Sequence, residues 1–218
     1  TQLLTKNGQF IDVEVDASPI FNSEQILSGI VVVISDITEK RKQLKEVEYL
    51  SFHDQLTGLY NRRYMEDALY RLNVARNLPL SIMTIDLNGL KLTNDAFGHQ
   101  AGDKLLQKVA QIVKQSCRSD DIIARSGGDE FVIILPKTSA QEMVGIKDRM
   151  LMLASDATMD SVVLSLAIGM ATKEKEHESI SEVMRLADNN MYKDKLKRGK
   201  IMRSQTIEVL LTNINMKY

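Results

Sequence analysis

Residues 125–135 constrain the fold more than any other segment of this sequence. They read Arg-Ser-Gly-Gly-Asp-Glu-Phe-Val-Ile-Ile-Leu, in which two strand-like runs flank a pair of glycines. Because glycine accepts positive φ angles and leaves room for a close neighbour, Gly127-Gly128 predicts a tight hairpin with Asp129 and Glu130 at its tip. The tip is either a metal and phosphate site or an ordinary exposed acidic turn.

A second acidic segment lies upstream, where an apolar run ends in a carboxylate. Residues 80–86 read Leu-Ser-Ile-Met-Thr-Ile-Asp and predict a strand that ends at Asp86. If this strand lies beside the hairpin, Asp86 and Asp129 can share a hard divalent cation, and Mg²⁺ is the natural candidate for oxygen ligands. Lys91 follows in a polar segment, and a metal with a nearby lysine suits a triphosphate. The alternative is a strand followed by an unspecialised polar loop.

Several separated motifs give the sequence a resemblance to the GGDEF family of diguanylate cyclases over residues 53–203 of 218. They occur in the family's order: residues 54–63 (Asp-Gln-Leu-Thr-Gly-Leu-Tyr-Asn-Arg-Arg), 86–103, 127–131 (Gly-Gly-Asp-Glu-Phe), 165–169 (Ser-Leu-Ala-Ile-Gly), and Ala187-Asp188 to Tyr192 and Lys195. The resemblance implies the condensation of two GTP molecules into cyclic di-GMP with release of two pyrophosphates. It also implies that each GTP is held by one subunit of a homodimer.

The metal and catalytic residues that the resemblance implies lie in the two acidic segments. The metal ligands fall on Asp86, the backbone carbonyl of Leu87, Asp129 and Glu130, with two Mg²⁺ ions for each GTP and Mn²⁺ as a possible substitute. Asp129 is the implied base, which takes the proton from the ribose 3′-hydroxyl of the facing GTP. Glu130 is the implied support for the second metal.

The resemblance places the substrate contacts on five further residues. Asn94 and Asp103 fall on the guanine-recognition positions, and a carboxylate can accept hydrogen bonds from the N1 and exocyclic amine groups of guanine. Lys91 and Lys195 fall on phosphate-binding positions. His99 lies where the substrate pocket of the family begins, and a purely structural role is the alternative for this histidine.

An Arg-x-x-Asp pattern precedes the paired glycines, at Arg118 and Asp121. The resemblance places these residues at the family's product-binding inhibitory site. The planar guanidinium group of arginine can bind guanine or phosphate, and the aspartate can accept hydrogen bonds from the guanine base. Feedback inhibition by cyclic di-GMP is therefore a reasonable hypothesis. The alternative is a charged loop between a helix and a strand.

Some positions depart from the common pattern of the family. Asn88 stands where a second aspartate is usual, which removes one negative charge near the expected metal. Ser126 stands in place of a frequent tyrosine. Gly199 comes one residue later than usual, so Arg198 and Lys200 are both candidates for the second phosphate contact.

Composition excludes several classes of protein. The sequence is 44% hydrophobic and 26% charged, with a formal net charge of −1 and one cysteine, Cys117. This charge gives no bias toward nucleic acid or membrane surfaces, and a single cysteine cannot form an internal disulfide. No apolar run approaches the roughly 20 residues that cross a bilayer. We expect a cytoplasmic catalytic chain with no nucleic-acid partner and no membrane segment of its own, although a parent protein could be tethered upstream.

The N-terminal residues predict a different unit. Residues 10–17 alternate apolar and polar side chains, and residues 30–34 predict a second, buried strand. Residues 1–36 resemble the C-terminal part of a PAS sensor domain whose first half is missing. Residues 37–52 predict a signalling linker helix with a narrow apolar stripe, which is either a short parallel coiled coil or a solvated helix.

The region of residues 53–203 predicts an α/β domain. Helices are expected near residues 61–77, 101–116, 139–154 and 179–195, with strands near 80–86 and 162–171. The hairpin excludes a purely parallel sheet, so we expect a mixed or antiparallel central sheet flanked by helices, of the nucleotide-cyclase palm or ferredoxin-like type. Residues 204–218 predict a helical tail that could lead into a further domain, such as a phosphodiesterase module.

These features together predict a homodimeric diguanylate cyclase, regulated through an N-terminal sensor and by product feedback. Two non-enzymatic alternatives stay open: a turnover-deficient receptor for GTP or cyclic di-GMP, and a dimerising signalling adaptor. The intact carboxylates Asp86, Asp129 and Glu130 favour the enzyme, whereas Asn88 favours the receptor.

Overall fold

A computed structural model describes residues 1–159 and 162–215 of the chain. The chain divides into two compact units, Thr1–Ser51 and Phe52–Tyr218. The first unit contains β1 (Gln2–Leu4), β2 (Phe10–Phe21) and β3 (Leu27–Asp36), and helix α1 (Thr38–Phe52) begins in it.

The three strands of the first unit form an antiparallel sheet in the order β1-β2-β3. The register of β2 and β3 runs from Val13 opposite Asp36 to Phe21 opposite Leu27. The backbone N–H of Asp12 donates to the hydroxyl of Thr38 at 2.9 Å, which fixes the start of α1 to β2. The alternating pattern therefore predicted β2 correctly, and the charged segment after it predicted α1 correctly.

The prediction that residues 30–34 form a buried strand is wrong in one respect. The strand exists as part of β3, but its apolar side chains are exposed, from 46% for Val31 to 62% for Ile30. A sheet buries a face only when a second layer covers it, and the described residues of this unit provide no such layer. Apolar composition predicted the strand, but it could not predict whether a second layer of structure packs against it.

The second unit begins with β4 (Tyr60–Asn61), α2 (Arg62–Leu72), a 3₁₀ turn (Ala75–Asn77) and β5 (Leu80–Asn88). It continues with α3 (Leu90–Phe97), α4 (His99–Ser116), β6 (Ile122–Gly127), β7 (Glu130–Leu135), α5 (Ala140–Asp156), β8 (Thr158–Met159), β9 (Val162–Val163), β10 (Ser165–Lys173) and α6 (Ile180–Asn215). Five strands form one sheet in the order β10-β5-β7-β6-β4, in which β4 pairs with β6 in parallel and the other neighbours are antiparallel. The predicted mixed sheet flanked by helices is therefore confirmed.

Strand β5 lies at the centre of the core, and all nine of its residues are buried. Met83, Ile85 and Leu87 pack toward α4 and α5, whereas Leu80 and Ile82 pack toward α2 and α6. A strand covered on both faces is a nearly continuous apolar run, which explains the composition of this segment. Side chains alternate along a strand, so Asp86 lies on the α2 and α6 face with Ile82.

Three helices differ from the sequence expectation. Helix α2 ends at Leu72, short of the predicted end near residue 77, and a separate 3₁₀ turn covers Ala75–Asn77. Helix α3 was not predicted, because Asn94 and Asp95 make its eight residues look like a polar loop. Helix α6 is longer than predicted and joins the helix expected near 179–195 to most of the 204–218 tail, of which residues 216–218 lie outside the described residues. Although α6 has 36 residues, no helix in the described part of the chain is both long and apolar enough to cross a membrane.

Helix α6 is attached to β10 through its backbone and two side chains. At Gly169 a Cβ atom would overlap the carbonyl oxygen of Ala187 and the backbone of Met191, so only glycine permits this approach. The amide of Asn190 donates to the carbonyl of Met170 at 3.0 Å, and the carboxylate of Asp194 accepts from the N–H of Ile168 at 3.0 Å. These contacts fix the helix that carries Lys195.

Substitution Gly169→Ala is expected to lower the free energy of unfolding by roughly 1–3 kcal/mol, because the new methyl group meets backbone atoms that cannot rotate away. The matched control is Gly145→Ala on the exposed face of α5, where a Cβ would meet no described atom within 4 Å. That control should be neutral or stabilising by up to about 1 kcal/mol, since alanine favours a helix. Urea unfolding measures both, and equal stability of Gly169→Ala and the unaltered chain would contradict the assigned contact.

Candidate functional site

The two acidic segments meet at one edge of the sheet. Strand pairing sets Asp86 opposite Glu130, and the backbone N–H of Leu87 donates to the carbonyl of Asp129 at 3.0 Å. Gly128 has a positive φ of 34°, in agreement with the tight turn expected at the hairpin tip. The structure thus brings together Asp86, Leu87, Asp129 and Glu130, the four residues predicted as metal ligands.

Asp86 is the buried centre of this edge, with 1% of its surface exposed. Burial raises the pKa of its carboxyl group, the charge of Asp129 raises it further, and the hydrogen bond from Lys195 lowers it. Its Oδ2 atom accepts from Nζ of Lys195 at 2.6 Å, whereas its buried Oδ1 atom has no hydrogen-bond partner among the described residues. An unpaired buried oxygen costs free energy, so this atom is available to a ligand.

Lys195 reaches this carboxylate from α6. Partial burial lowers the pKa of its ammonium group, but the hydrogen bond to Asp86 and the charges of Asp129 and Glu130 outweigh burial and raise the pKa. The ammonium therefore stays protonated and acts as a cation beside the buried acid. The structure places this predicted phosphate ligand against a predicted metal ligand.

The donor set fits the Mg²⁺ that the resemblance implies. The unpaired Oδ1 of Asp86 is an oxygen ligand without a partner, and the ammonium of Lys195 already occupies a cation position beside the same group. Within the described residues, no three His, Cys, Asp or Glu side chains are grouped closely enough to hold a metal by themselves. Mg²⁺ usually keeps several water or phosphate oxygens, so it would be held here by such ligands together with the unpaired Oδ1 of Asp86, and the ligand roles of Leu87, Asp129 and Glu130 stay predictions.

An arginine clamp fixes the hairpin tip. Nε and Nη2 of Arg125 donate to the carbonyl of Gly128 at 3.0 and 2.7 Å, and its Nη1 lies 3.2 Å from both carboxylate oxygens of Asp54. Asp54 also accepts from the N–H and hydroxyl of Thr57, at 2.9 and 2.6 Å. The sequence motifs did not predict this positioning role, although Asp54 and Thr57 lie in the motif of residues 54–63 and Arg125 begins the hairpin segment.

The predicted guanine contacts lie on two neighbouring helices. Asn94 is on α3, and its buried Oδ1 has no hydrogen-bond partner within the described part of the chain. That oxygen lies against Gly102 of α4, where a Cβ atom would overlap it. Asp103 and His99 are exposed on α4, and Lys91 is exposed on α3. The unpaired oxygen of Asn94 is the one polar atom of this group with a structural signal for a ligand.

The predicted inhibitory residues lie between α4 and β6. Asp121 is 8% exposed, and its carboxylate accepts the backbone N–H of Arg118 at 2.7 Å. Burial raises the pKa of Asp121, and this hydrogen bond partly opposes the rise. Both residues line a cavity of about 330 Å³ together with His53, Tyr60 and Lys114. Asp121 therefore has a structural role in the turn, whereas the exposed side chain of Arg118 lies at the cavity.

The departures from the family pattern have local partners. The amide of Asn88 donates to the hydroxyl of Ser165 at 3.1 Å and links β5 to β10. Nε of Arg198 donates to Asp194 at 2.9 Å, one helical turn earlier. The side chain of Lys200 lies outside the described residues, so the choice between Arg198 and Lys200 for a phosphate contact stays a prediction.

The mixed sheet flanked by helices is the fold of GGDEF domains. The sequence profile described as "Diguanylate cyclase, GGDEF domain" matches residues 51–200, and the chain therefore belongs to the GGDEF diguanylate cyclase family. The chain is 32% identical over 197 residues to the probable diguanylate cyclase DgcE of Escherichia coli K12, covering 87% of this chain but 18% of DgcE.

Two further relatives show the range of this family. The chain is 32% identical over 162 residues to the cyclic di-GMP phosphodiesterase PdeR of Escherichia coli K12, covering 72% of this chain and 24% of PdeR. The crystal structure of the coiled coil and GGDEF domain of DgcB from Caulobacter crescentus, in complex with c-di-GMP, aligns with a TM-score of 0.67 at 26% identity. This alignment covers 75% of the present chain and 89% of the DgcB chain.

Substitution Lys195→Met is expected to strengthen Mn²⁺ binding several-fold in the absence of nucleotide, because it removes the cation that competes for Asp86. If Lys195 holds phosphate as predicted, the same change should also weaken binding of a non-hydrolysable GTP analogue. Electron paramagnetic resonance measures free Mn²⁺, and circular dichroism checks that the variant folds. Lys193→Met, at an exposed position of the same helix, is the matched control. Unchanged Mn²⁺ affinity in Lys195→Met would show that the lysine does not occupy a cation position.

Proposed function

We propose that this chain is the catalytic part of a diguanylate cyclase, which condenses two GTP molecules into cyclic di-GMP and releases two pyrophosphates. The observation that carries the proposal is the unpaired, buried Oδ1 of Asp86 at the sheet edge where the Asp129 backbone meets β5. A buried acid beside a second acid and a lysine is suited to a metal-bound triphosphate. Membership of the family supports GTP as the nucleotide.

Five of the predicted site residues have a task in the proposed reaction. Asn94 and Asp103 bind guanine, with the carboxylate accepting from the N1 and amine groups that adenine does not present together. Lys91 and Lys195 hold phosphate oxygens, for which Lys195 must exchange its bond to Asp86 for one to the nucleotide. When bound, Mg²⁺ neutralises phosphate charge and polarises the reacting phosphoryl group. Asp129 takes the proton from the 3′-hydroxyl of the facing GTP.

The reaction needs a homodimer, because one domain holds one nucleotide and the attacking hydroxyl comes from the other. Helix α1 supports pairing, since Leu44, Val47 and Leu50 are 59%, 64% and 42% exposed and lie at helical spacing. Pairing through this stripe would raise the effective concentration of the two catalytic domains. GTP is a cytoplasmic nucleotide, so the catalytic part is expected to work in the cytoplasm.

Regulation is proposed at two places in the chain. Residues 1–36 would be the closing strands of a PAS sensor, in which the exposed apolar side chains of β3 would be covered by a second layer. Product feedback would act at Arg118 and Asp121, whose cavity is lined by groups able to bind guanine and phosphate. The chain spans 18% of the length of DgcE and 24% of the length of PdeR.

A receptor without turnover is the second candidate. One observation favours it: the amide at Asn88 is engaged with Ser165 and leaves the site with one acid fewer. The similarity to PdeR, which is named as a phosphodiesterase, is compatible with a GGDEF domain in a regulatory role. An assay for cyclic di-GMP formation, described next, separates the two candidates.

Incubation of the chain with GTP and Mg²⁺ is expected to yield cyclic di-GMP and pyrophosphate, which chromatography measures. The assay is run on the chain alone and on the chain fused to a dimerising coiled coil. ATP should give no cyclic product, because adenine lacks the donor pair for Asp103. Asp86→Asn and Asp129→Asn should each lower turnover by roughly 100-fold or more. The control Asp148→Asn, exposed on α5, should be unaffected. Binding of GTP without product in the dimerised fusion would favour the receptor.

Arg118→Ala is expected to weaken cyclic di-GMP binding by about tenfold or more, because a charge-assisted contact to guanine or phosphate is lost. Isothermal titration calorimetry with Asp129→Asn protein measures this affinity without turnover. Arg185→Ala is the matched control, since Arg185 is exposed on α6 and paired with Glu182. Unchanged affinity in Arg118→Ala would remove the product site from these residues.

A further inference from the structure

A second cavity, of about 600 Å³, lies between α2 and α6 over the face of the sheet that carries Thr84 and Val132. We refer to it as the α2–α6 cavity. Its volume is within the range of about 300–1,000 Å³ typical of small-molecule sites. Glu130 lines its outer end, so the cavity adjoins the acidic edge, but the predicted guanine and phosphate contacts are not among its lining residues.

The inner end of the α2–α6 cavity is polar and incompletely satisfied. Thr84 is 2% exposed, and its hydroxyl makes no hydrogen bond of normal geometry with any described residue. Asp188 of α6 lines the same end, where burial raises the pKa of its carboxyl group and the proximity of the Thr84 hydroxyl lowers it. The buried Thr84 hydroxyl and the Asp188 carboxylate form one polar pair at this end of the cavity. This pair can therefore accept hydrogen bonds from a ligand.

The side walls of the cavity are apolar and adaptable. Met65 and Leu69 come from α2, and Met184 and Met191 come from α6. Methionine side chains adjust to planar ligands and make favourable contacts with aromatic rings. The walls therefore suit a flat ring system that enters between the two helices.

The charges around the cavity disfavour anions. Three lining carboxylates, Glu66, Glu130 and Asp188, face one lining arginine, Arg62, whose Nε atom is already paired with Glu66 at 2.8 Å. A phosphate or carboxylate ligand would meet net negative charge, whereas an amine would not. The charge balance thus separates this cavity from a nucleoside-phosphate site.

We propose that the α2–α6 cavity binds a neutral or singly cationic heteroaromatic amine, whose N–H groups donate to Thr84 and Asp188 and whose ring lies between the methionines. A ligand there contacts Glu130 and would alter the acidic edge of the sheet. The proposal does not depend on turnover, because the residues that line the cavity are separate from the predicted guanine and phosphate contacts.

The test uses 2-aminobenzimidazole as a cationic probe and indole-2-carboxylate as an anion of similar size and shape. The chain has 11 methionines, and ¹³C-methyl labelling of methionine lets nuclear magnetic resonance follow them. We expect saturable shifts of the Met65, Met184 and Met191 signals with the amine and not with the carboxylate. The signal of Met150, in the core cluster on the opposite face of the sheet, should not shift.

The substitution Thr84→Val keeps the side-chain shape but removes the hydroxyl, and it should weaken binding of the amine by about tenfold. Ser126→Tyr adds a ring at a residue that lines the cavity and should abolish the shifts. Ser155→Ala, exposed on α5, is the control and should bind as the unaltered chain does.

The proposal is overturned if no saturable shifts occur, or if the amine and the carboxylate bind the chain with equal affinity. It is also overturned if Thr84→Val binds the amine as tightly as the unaltered chain does. Loss of the shifts in Asn94→Ala but not in Thr84→Val would assign the amine to the predicted guanine site and would also overturn it. Because these titrations contain neither GTP nor metal, their failure leaves the product assay unaffected.

Discussion

The antiparallel pairing of β5 with β7 is the constraint on which the rest of the site depends. It sets Asp86 opposite Glu130 and joins the Leu87 N–H to the Asp129 carbonyl. A shift of register by one residue would turn Asp86 to the other face of the sheet, away from α6. The position of the acidic edge is therefore decided by strand pairing in the core, before any ligand binds.

The contacts that stabilise the fold also position the charges. Helix α6 is held against β10 by the close approach at Gly169 and by Asp194, and this attachment carries Lys195 to the buried Asp86. An unpaired buried carboxylate is strongly destabilising, so the lysine stabilises the site while it is empty of nucleotide. The Arg125 clamp has a similar double role, because it closes the hairpin tip and orients the backbone next to Asp129.

Local patterns predicted the elements whose burial follows from the chain itself. The hairpin, β5 and α4 were predicted because apolar spacing and glycine placement are local properties. The predicted burial of residues 30–34 was wrong, because covering requires a second layer that the described part of that unit lacks. Helix α3 was missed because Asn94 and Asp95 have low helix propensity, and its packing against α4 overrides that preference.

The sequence by itself determined the family, the mixed sheet and the chemical types at the site, because motifs and apolar periodicity are written in neighbouring residues. Tertiary structure alone decided which groups meet. Lys195 and Asp86 are 109 residues apart and form an ion pair, and Arg125 and Asp54 are 71 residues apart. Only the packing of α6 over the sheet places the buried Thr84 hydroxyl beside the carboxylate of Asp188. Contacts between distant segments depend on the geometry of the folded core, which no local pattern encodes.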